Sequence, residues 1–164
     1  MKRDIEFSGI WAIVFDVDGV FTDGRLLVTE EGHLLRTMST RDGYAIKRAL
    51  AAGIKIAVIT GGNSEGVRKR LSGLGIEEVY LGVADKLPVL RSLSEAWGIR
   101  REAIAYVGDD MPDYACMKWS GMAICPADAV SEIQILSHYI TAAKGGKGCV
   151  REVIECILKE KGKW

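Results

Sequence analysis

The segment Asp16-Val-Asp-Gly-Val-Phe-Thr-Asp-Gly24 places two carboxylates one residue apart, directly after the apolar run Ile10 to Phe15. In an extended chain Asp16 and Asp18 share a face, and Gly19 then lets the backbone turn away. Two acids so close repel each other, and a bound cation or a shared proton relieves the repulsion. Standing alone, such a pair could equally cap a loop or a helix. A second acid cluster, Gly108-Asp-Asp-Met-Pro-Asp113, follows another apolar run and opens a helix. Thr60-Gly-Gly-Asn63 follows a third and offers a hydroxyl and several amides at a helix start, a setting that suits phosphate. Asp85-Lys86 brings an ammonium. Carboxylates from two strands, Asp16 with Asp18 and Asp109, call for a hard cation such as Mg2+, which prefers oxygen ligands. Combined with the Thr60 hydroxyl, the Lys86 charge and amide donors, they make a site for phosphoryl chemistry.

These residues need a scaffold that gathers them at one edge. Five short runs read as strands: Ile10 to Phe15, Ile54 to Ile59, Glu77 to Leu81, Ala103 to Val107 and Met122 to Cys125. They alternate with helical spacing over Arg41 to Ala52, Ser64 to Leu74, Lys86 to Trp97, Met111 to Trp119 and Gly148 to Lys161, with Gly53, Gly75 and Gly98 as stops. This alternation predicts an α/β fold, a Rossmann-like parallel sheet flanked by helices on both faces. In such sheets ligands bind beyond the carboxyl ends of the strands, where all four motifs fall. Arg25 to Met38 breaks the rhythm: Arg25 to Val28 and Leu34 to Met38 flank Thr29-Glu-Glu-Gly32, the pattern of a protruding β-hairpin. Its apolar residues are expected to pack against the same element of other subunits, the alternative being that it folds back over its own domain.

The bulk numbers bound the rest. With 164 residues, 48% of them hydrophobic and 27% charged, the chain is expected to be a single domain, 1–164, neither disordered nor membrane-embedded. Lys plus Arg equal Asp plus Glu at 22 each, so no overall field draws nucleic acid or anionic lipid. Cys116, Cys125, Cys149 and Cys156 lack metal-like spacing and read as free thiols, and His33 and His138 are assigned no role. The charged segment Met1 to Ser8 has no signal-peptide character, so a cytoplasmic location is expected. Trp11, Trp97 and Trp119 are expected to pack, with Trp164 simply terminal.

The ordered set DxDGVxTDG, TG, a lone Lys and GDDxxD resembles the haloacid dehalogenase superfamily of phosphatases over nearly the whole chain. The resemblance implies an aspartyl-phosphate mechanism. Asp16 would be the nucleophile, and Mg2+ would sit on Asp16, the main-chain carbonyl of Asp18, and Asp109. Asp18 would serve as general acid and then base, with Thr60 and Lys86 stabilising the transferring phosphoryl group. Asp113 and Asp110 would orient Lys86 or a metal-bound water. Asp23 to Arg41 holds only the hairpin, and Leu74 leads quickly into the next strand, so there is no room for a cap domain. An uncapped crevice needs cover from another chain to exclude water. A receiver-like signalling domain also gathers acids, a hydroxyl and a lysine around Mg2+, but it needs an aspartate after the third strand that is missing here. An idle regulatory subunit would be expected to lack one of the acids.

Within the superfamily the sequence is similar to the capless sugar-phosphate branch, 3-deoxy-manno-octulosonate 8-phosphate and nononate 9-phosphate phosphatases. The similarity rests on DGVFTDG, Thr40-Arg-Asp-Gly-Tyr44, Gly82-Val-Ala-Asp-Lys86 and Gly145-Gly-Lys-Gly-Cys-Val-Arg-Glu152. It implies a homotetramer joined through its hairpins, with C-terminal segments completing a neighbour's site. It further implies substrate contacts from Ser39, Thr40, Arg41, Asp42, Gly43, Lys47, Arg70 and Lys86. Gly145 to Gly148 reads as a flexible segment carrying Lys144 and Lys147 toward a neighbouring site, with Lys147 on the substrate. Two positions depart from the branch: Gly62 stands where octulosonate enzymes have arginine and nononate enzymes glutamate, and Lys47 where arginine is common. Octulosonate 8-phosphate is the first expected substrate, and a nononate or N-acylneuraminate 9-phosphate the second.

Overall fold

The strands run as predicted through the middle of the molecule, and the central ones bury both of their faces while the edge strands are partly open. A computed structural model describes residues 5–164, so Met1 to Asp4 of the charged leading segment lie outside the described residues. The parallel strands are β1 (Ala12–Phe15), β4 (Lys55–Ile59), β5 (Glu78–Tyr80), β6 (Ile104–Val107), β7 (Met122–Cys125) and β8 (Tyr139–Ile140). They lie in the order β5-β4-β1-β6-β7-β8, so β1 pairs with β4 on one side and β6 on the other. Chain order reverses direction at β1, and that reversal leaves a crevice beyond its carboxyl end. Ile13 and Phe15 of β1, with Ala105 and Val107 of β6, face α1 (Thr40–Ala51), α2 (Glu65–Gly73) and α6 (Cys149–Glu160). Ala12 and Val14, with Ile104 and Tyr106, face α3 (Lys86–Trp97), α4 (Tyr114–Trp119) and α5 (Ser131–Leu136). The period-two alternation of a strand thus splits one apolar run between two cores.

Helix ends follow their sequence signals. Ser39 accepts from the Arg41 amide and Ser64 from the Val67 amide at the starts of α1 and α2. Gly98 closes α3 in the left-handed region at φ 63°. The predicted helix Met111 to Trp119 is a 3-10 turn, Met111–Asp113, followed by α4, because Pro112 in its first turn and the Asp110 cap tighten its start. The short α5 and β8 add to the elements expected from the pattern.

The hairpin is present but shorter than expected: β2 (Leu27–Val28) pairs antiparallel with β3 (Leu34–Leu35) across a loop in which Gly32 has φ 84°. It does not fold back over its own domain, since Leu27 is 67% and Leu35 49% exposed. The stretches where a cap could be inserted hold only this hairpin and the short turn after Leu74, so there is no cap domain among the described residues. The four cysteines are free, three of them buried. No helix among the described residues is long and apolar enough to cross a membrane.

Candidate active site

At the carboxyl ends of β1, β4 and β6 a cleft of about 440 Å³ opens, lined by Asp16, Asp18, Thr60, Lys86, Asp109 and Asp113 among others. After Asp16 the chain coils into a tight loop in which the amides of Val20, Phe21 and Thr22 all turn back to the Val17 carbonyl. The buried Thr22 hydroxyl accepts from the Gly19 and Gly24 amides and fixes that loop. Gly19, at φ 87°, passes so close to Asp109 that a Cβ there would lie 1.8 Å from Oδ2. The glycine is required by contact as well as by conformation.

Lys86 begins α3 and points into the floor of the cleft, where Nζ lies 3.0 Å from Asp16 Oδ1 and 2.8 Å from Asp113 Oδ1. Asp113, fully buried, also accepts from the Tyr106 hydroxyl at 2.9 Å and from the Asp109 amide at 3.1 Å. Its lone pairs are therefore committed to holding Lys86 and the β6 loop. Asp110 accepts from the Met111 amide and caps the 3-10 turn. Thr60 is buried, and its hydroxyl accepts from the Gly62 amide at 3.2 Å. The Thr60–Gly62 loop is tied to the next strand end by Val83 N–H to the Thr60 carbonyl and Gly82 N–H to the Gly62 carbonyl. This loop leads into α2 as expected, and the first turn of that helix is capped by Ser64, whose side chain accepts from the Val67 amide.

Asp16, Asp109 and Asp113 offer carboxylate oxygens within 4.8 Å of one another. Burial first, and then the Asp113 charge, raise the Asp16 carboxyl to about 8 despite Lys86. The same two causes, joined by Asp110, raise Asp109 to about 7. Burial works to lower the Lys86 ammonium, but the carboxylates of Asp16 and Asp113 outweigh it and raise the group overall. The cluster therefore holds more negative charge than Lys86 neutralises, a deficit that a hard divalent cation fits. Since Asp113 is fully engaged and the Asp18 side chain turns elsewhere, Asp16 and Asp109 are the carboxylates left for such an ion. The Asp18 carboxylate is gripped by Arg36, a residue outside every motif, with Nε 2.7 Å from Oδ1 and Nη2 3.1 Å from Oδ2.

A family model described as haloacid dehalogenase-like hydrolase matches residues 76–153. Over 156 residues the chain is 38% identical to the 3-deoxy-D-manno-octulosonate 8-phosphate phosphatase of Escherichia coli K12, spanning 95% of this chain and 83% of that protein. The chain belongs to the haloacid dehalogenase-like hydrolases. The crystal structure of the 3-deoxy-D-manno-octulosonate 8-phosphate phosphatase from Yersinia pestis superposes with a TM-score of 0.93 at 36% identity, covering 96% of this chain and 85% of that one. The Moraxella catarrhalis phosphatase of the same name, solved with a magnesium ion, a phosphate ion and a KDO molecule, gives 0.90 at 36% identity over 94% and 88%.

The hydrolase cleft does not include every residue expected to touch substrate. Ser39 caps α1, while Thr40, Arg41 and Lys47 are exposed on that helix, away from the cleft walls. Asp42 is buried, and its Oδ1 accepts from the Arg151 amide at the start of α6. Gly43 is also buried and lies against the guanidinium of Arg70, whose Nη2 would be 2.6 Å from a Cβ at that position. Lys147 is exposed outside the cleft.

The glycine segment is not a free arm. Gly145 donates to Asp128, Gly146 donates to the Val20 carbonyl, and a Cβ on Gly145 would stand 2.0 Å from the Gly19 carbonyl oxygen. These glycines let two backbones touch within one chain, where the sequence suggests flexibility. Trp164 likewise packs, edge-on to Tyr44 and beneath the guanidinium groups of Arg48 and Arg151.

Proposed function

We propose that this hydrolase is a Mg2+-dependent phosphatase for the phosphomonoester of a 3-deoxy-2-keto sugar acid, with 3-deoxy-D-manno-octulosonate 8-phosphate as first substrate. The observation that carries the chemistry is Lys86 held between Asp16 and Asp113 beside Asp109, at the sheet's carboxyl edge. The substrate assignment draws on the relatives named 3-deoxy-D-manno-octulosonate 8-phosphate phosphatase, and on the phosphate, magnesium and KDO bound to one of them.

Asp16, Asp109 and the main-chain carbonyl of Asp18 would hold the Mg2+, which when bound supplies positive charge against an anionic nucleophile and an anionic ester. The Asp16 oxygen not bonded to Lys86 attacks phosphorus in line, forming an aspartyl phosphate as the bond to the sugar oxygen breaks. Asp18 gives its proton to that departing oxygen. It then takes one from the water that attacks phosphorus, releasing phosphate and restoring Asp16. Lys86 and the Thr60 hydroxyl, with amides of the Thr60–Gly62 loop, bind the phosphoryl oxygens. Asp113 orients Lys86, and Asp110 braces the turn that presents Asp109.

Residues 1–164 are read as one phosphatase domain of a cytoplasmic homotetramer, and the exposed apolar face of the hairpin supports self-association. In that assembly the exposed Thr40, Arg41, Lys47, Arg70 and Lys147 are available to a substrate lodged between chains. Phosphate release from the sugar acid phosphate in the presence and absence of Mg2+ tests the reading. Inactivity across a broad panel of phosphoesters would overturn it, and equally poor kcat/KM for octulosonate 8-phosphate and nononate 9-phosphates would overturn the substrate class.

A further inference from the structure

We propose that Arg36, carried by the hairpin, is a positioning residue that fixes the Asp18 carboxylate in the cleft through the space that Gly62 leaves open. The proposal rests on the phosphatase reading above. Arg36 follows β3 directly, yet its side chain turns inward and is only 7% exposed, while the hairpin leucines point outward. The guanidinium meets both Asp18 oxygens, and its third nitrogen, Nη1, donates to the Leu34 carbonyl at 3.2 Å, so it is itself held at both ends. A two-point fork fixes the plane as well as the position of a carboxylate, which a lone ammonium cannot do.

Gly62 makes the arrangement possible. A Cβ there would stand 3.0 Å from Arg36 Nη2, 3.4 Å from Asp18 Oδ2 and 3.6 Å from Thr60 Oγ1. A methyl there would ask the guanidinium to give by a few tenths of an ångström, and a branched side chain directed the same way would compete with it for this ground. Arg36, Gly62 and Asp18 thus form one unit drawn from the hairpin, the β4 loop and the β1 loop. The fork as it stands suits the ionised carboxylate, the form that takes a proton from water. Once Asp18 carries a proton on the oxygen facing substrate, Arg36 keeps its hydrogen bond to the other oxygen and so holds the donor aimed at the departing oxygen, since a proton donor displaced by about an ångström loses much of its value.

The test exploits leaving groups. A sugar alkoxide needs a proton as it departs, whereas p-nitrophenolate departs with little help. In Arg36→Ala the ratio of kcat on the sugar acid phosphate to kcat on p-nitrophenyl phosphate should fall by about tenfold or more, with KM for the sugar acid phosphate little changed. Arg36→Lys, which keeps the charge and loses the fork, should shift the ratio the same way by less, and it serves if the alanine variant fails to fold. Gly62→Val should mimic Arg36→Ala by crowding out the guanidinium. An unchanged ratio, with both substrates slowed equally, would show a merely structural residue and overturn the proposal. A rise in KM at constant kcat would overturn it in favour of a direct substrate contact. Wild-type protein silent on both esters would overturn the phosphatase reading itself, and the proposal with it.

Discussion

In the proposed mechanism Asp16 carries two burdens that pull in opposite directions, since it must be an anion to attack phosphorus yet is buried beside another carboxylate. Its raised pKa sets the direction of a stability prediction. Below about pH 4 the group is protonated both folded and unfolded and contributes no difference, and as pH rises toward 8 the unfolded chain sheds the proton that the fold retains. Without metal, wild-type stability should therefore decline over that window. Asp16→Asn, unable to ionise, should be more stable than wild type at pH 8 by on the order of a few kcal/mol, and equal at pH 4. Urea unfolding of both proteins in EDTA measures this, while phosphate release should be abolished in the variant. The same protons compete with Mg2+: affinity should rise from pH 6 to 8 with protons released on binding, as titration calorimetry in buffers of different ionisation enthalpy would register. Lys86→Met should lower kcat by at least about 100-fold and cost about 3 kcal/mol or more at pH 8, because it leaves Asp16 and Asp113 buried without their cation. Among single residues, the two acid clusters, Thr60 and Lys86 were legible because each stands at a fixed place after a strand. Arg36 and Tyr106 were not. Arg36 reaches Asp18 across a separation of 18 residues with no local pattern, and Tyr106 resembles any other apolar strand residue until its hydroxyl finds Asp113.

At the scale of elements, strands and helices were readable where strong local signals coincide. Lys86–Trp97 begins and ends as predicted, bounded by Asp85 and by Gly98 in the left-handed region. α5 and β8 are too short to show a period, and β8 gains its order from pairing with β7 rather than from its own residues. The glycine segment was visible, but its meaning was not, since sequence cannot distinguish a glycine that permits motion from one that permits contact. That distinction is testable. Gly145→Ala would push a methyl onto the Gly19 carbonyl, so the Asp16–Gly24 loop must shift. Stability should fall by about 1 to 3 kcal/mol, and kcat should fall with it. Gly9→Ala, with nothing within 4 Å of its Cβ, is the matched control that should change neither.

For the whole molecule, the exposed hairpin is the part that one chain leaves unfinished. Leu27, Val28, Leu34 and Leu35 are half to two-thirds exposed on a two-stranded ribbon, which by itself is marginal in water. Leu27→Lys with Leu35→Lys should convert the proposed tetramer to smaller species by sedimentation velocity while leaving the far-ultraviolet dichroism of the sheet and helices unchanged. An assembly indifferent to both charges would exclude the hairpin as the joint. Gly145 and Gly146 bear on another property of the whole chain, the order in which it is made. The loop bearing Asp16 leaves the ribosome early, yet its backbone is buttressed by residues far along the chain, with Cys149 bonded to the Val20 carbonyl across 129 positions. A nascent chain halted after Asp113 already carries Asp16, Asp18, Thr60, Lys86 and Asp109, but its first loop still lacks the contacts from Gly145, Gly146 and Cys149. Synthesis therefore delivers the acids, hydroxyl and lysine of the cleft before it delivers the backbone contacts that buttress the loop bearing Asp16.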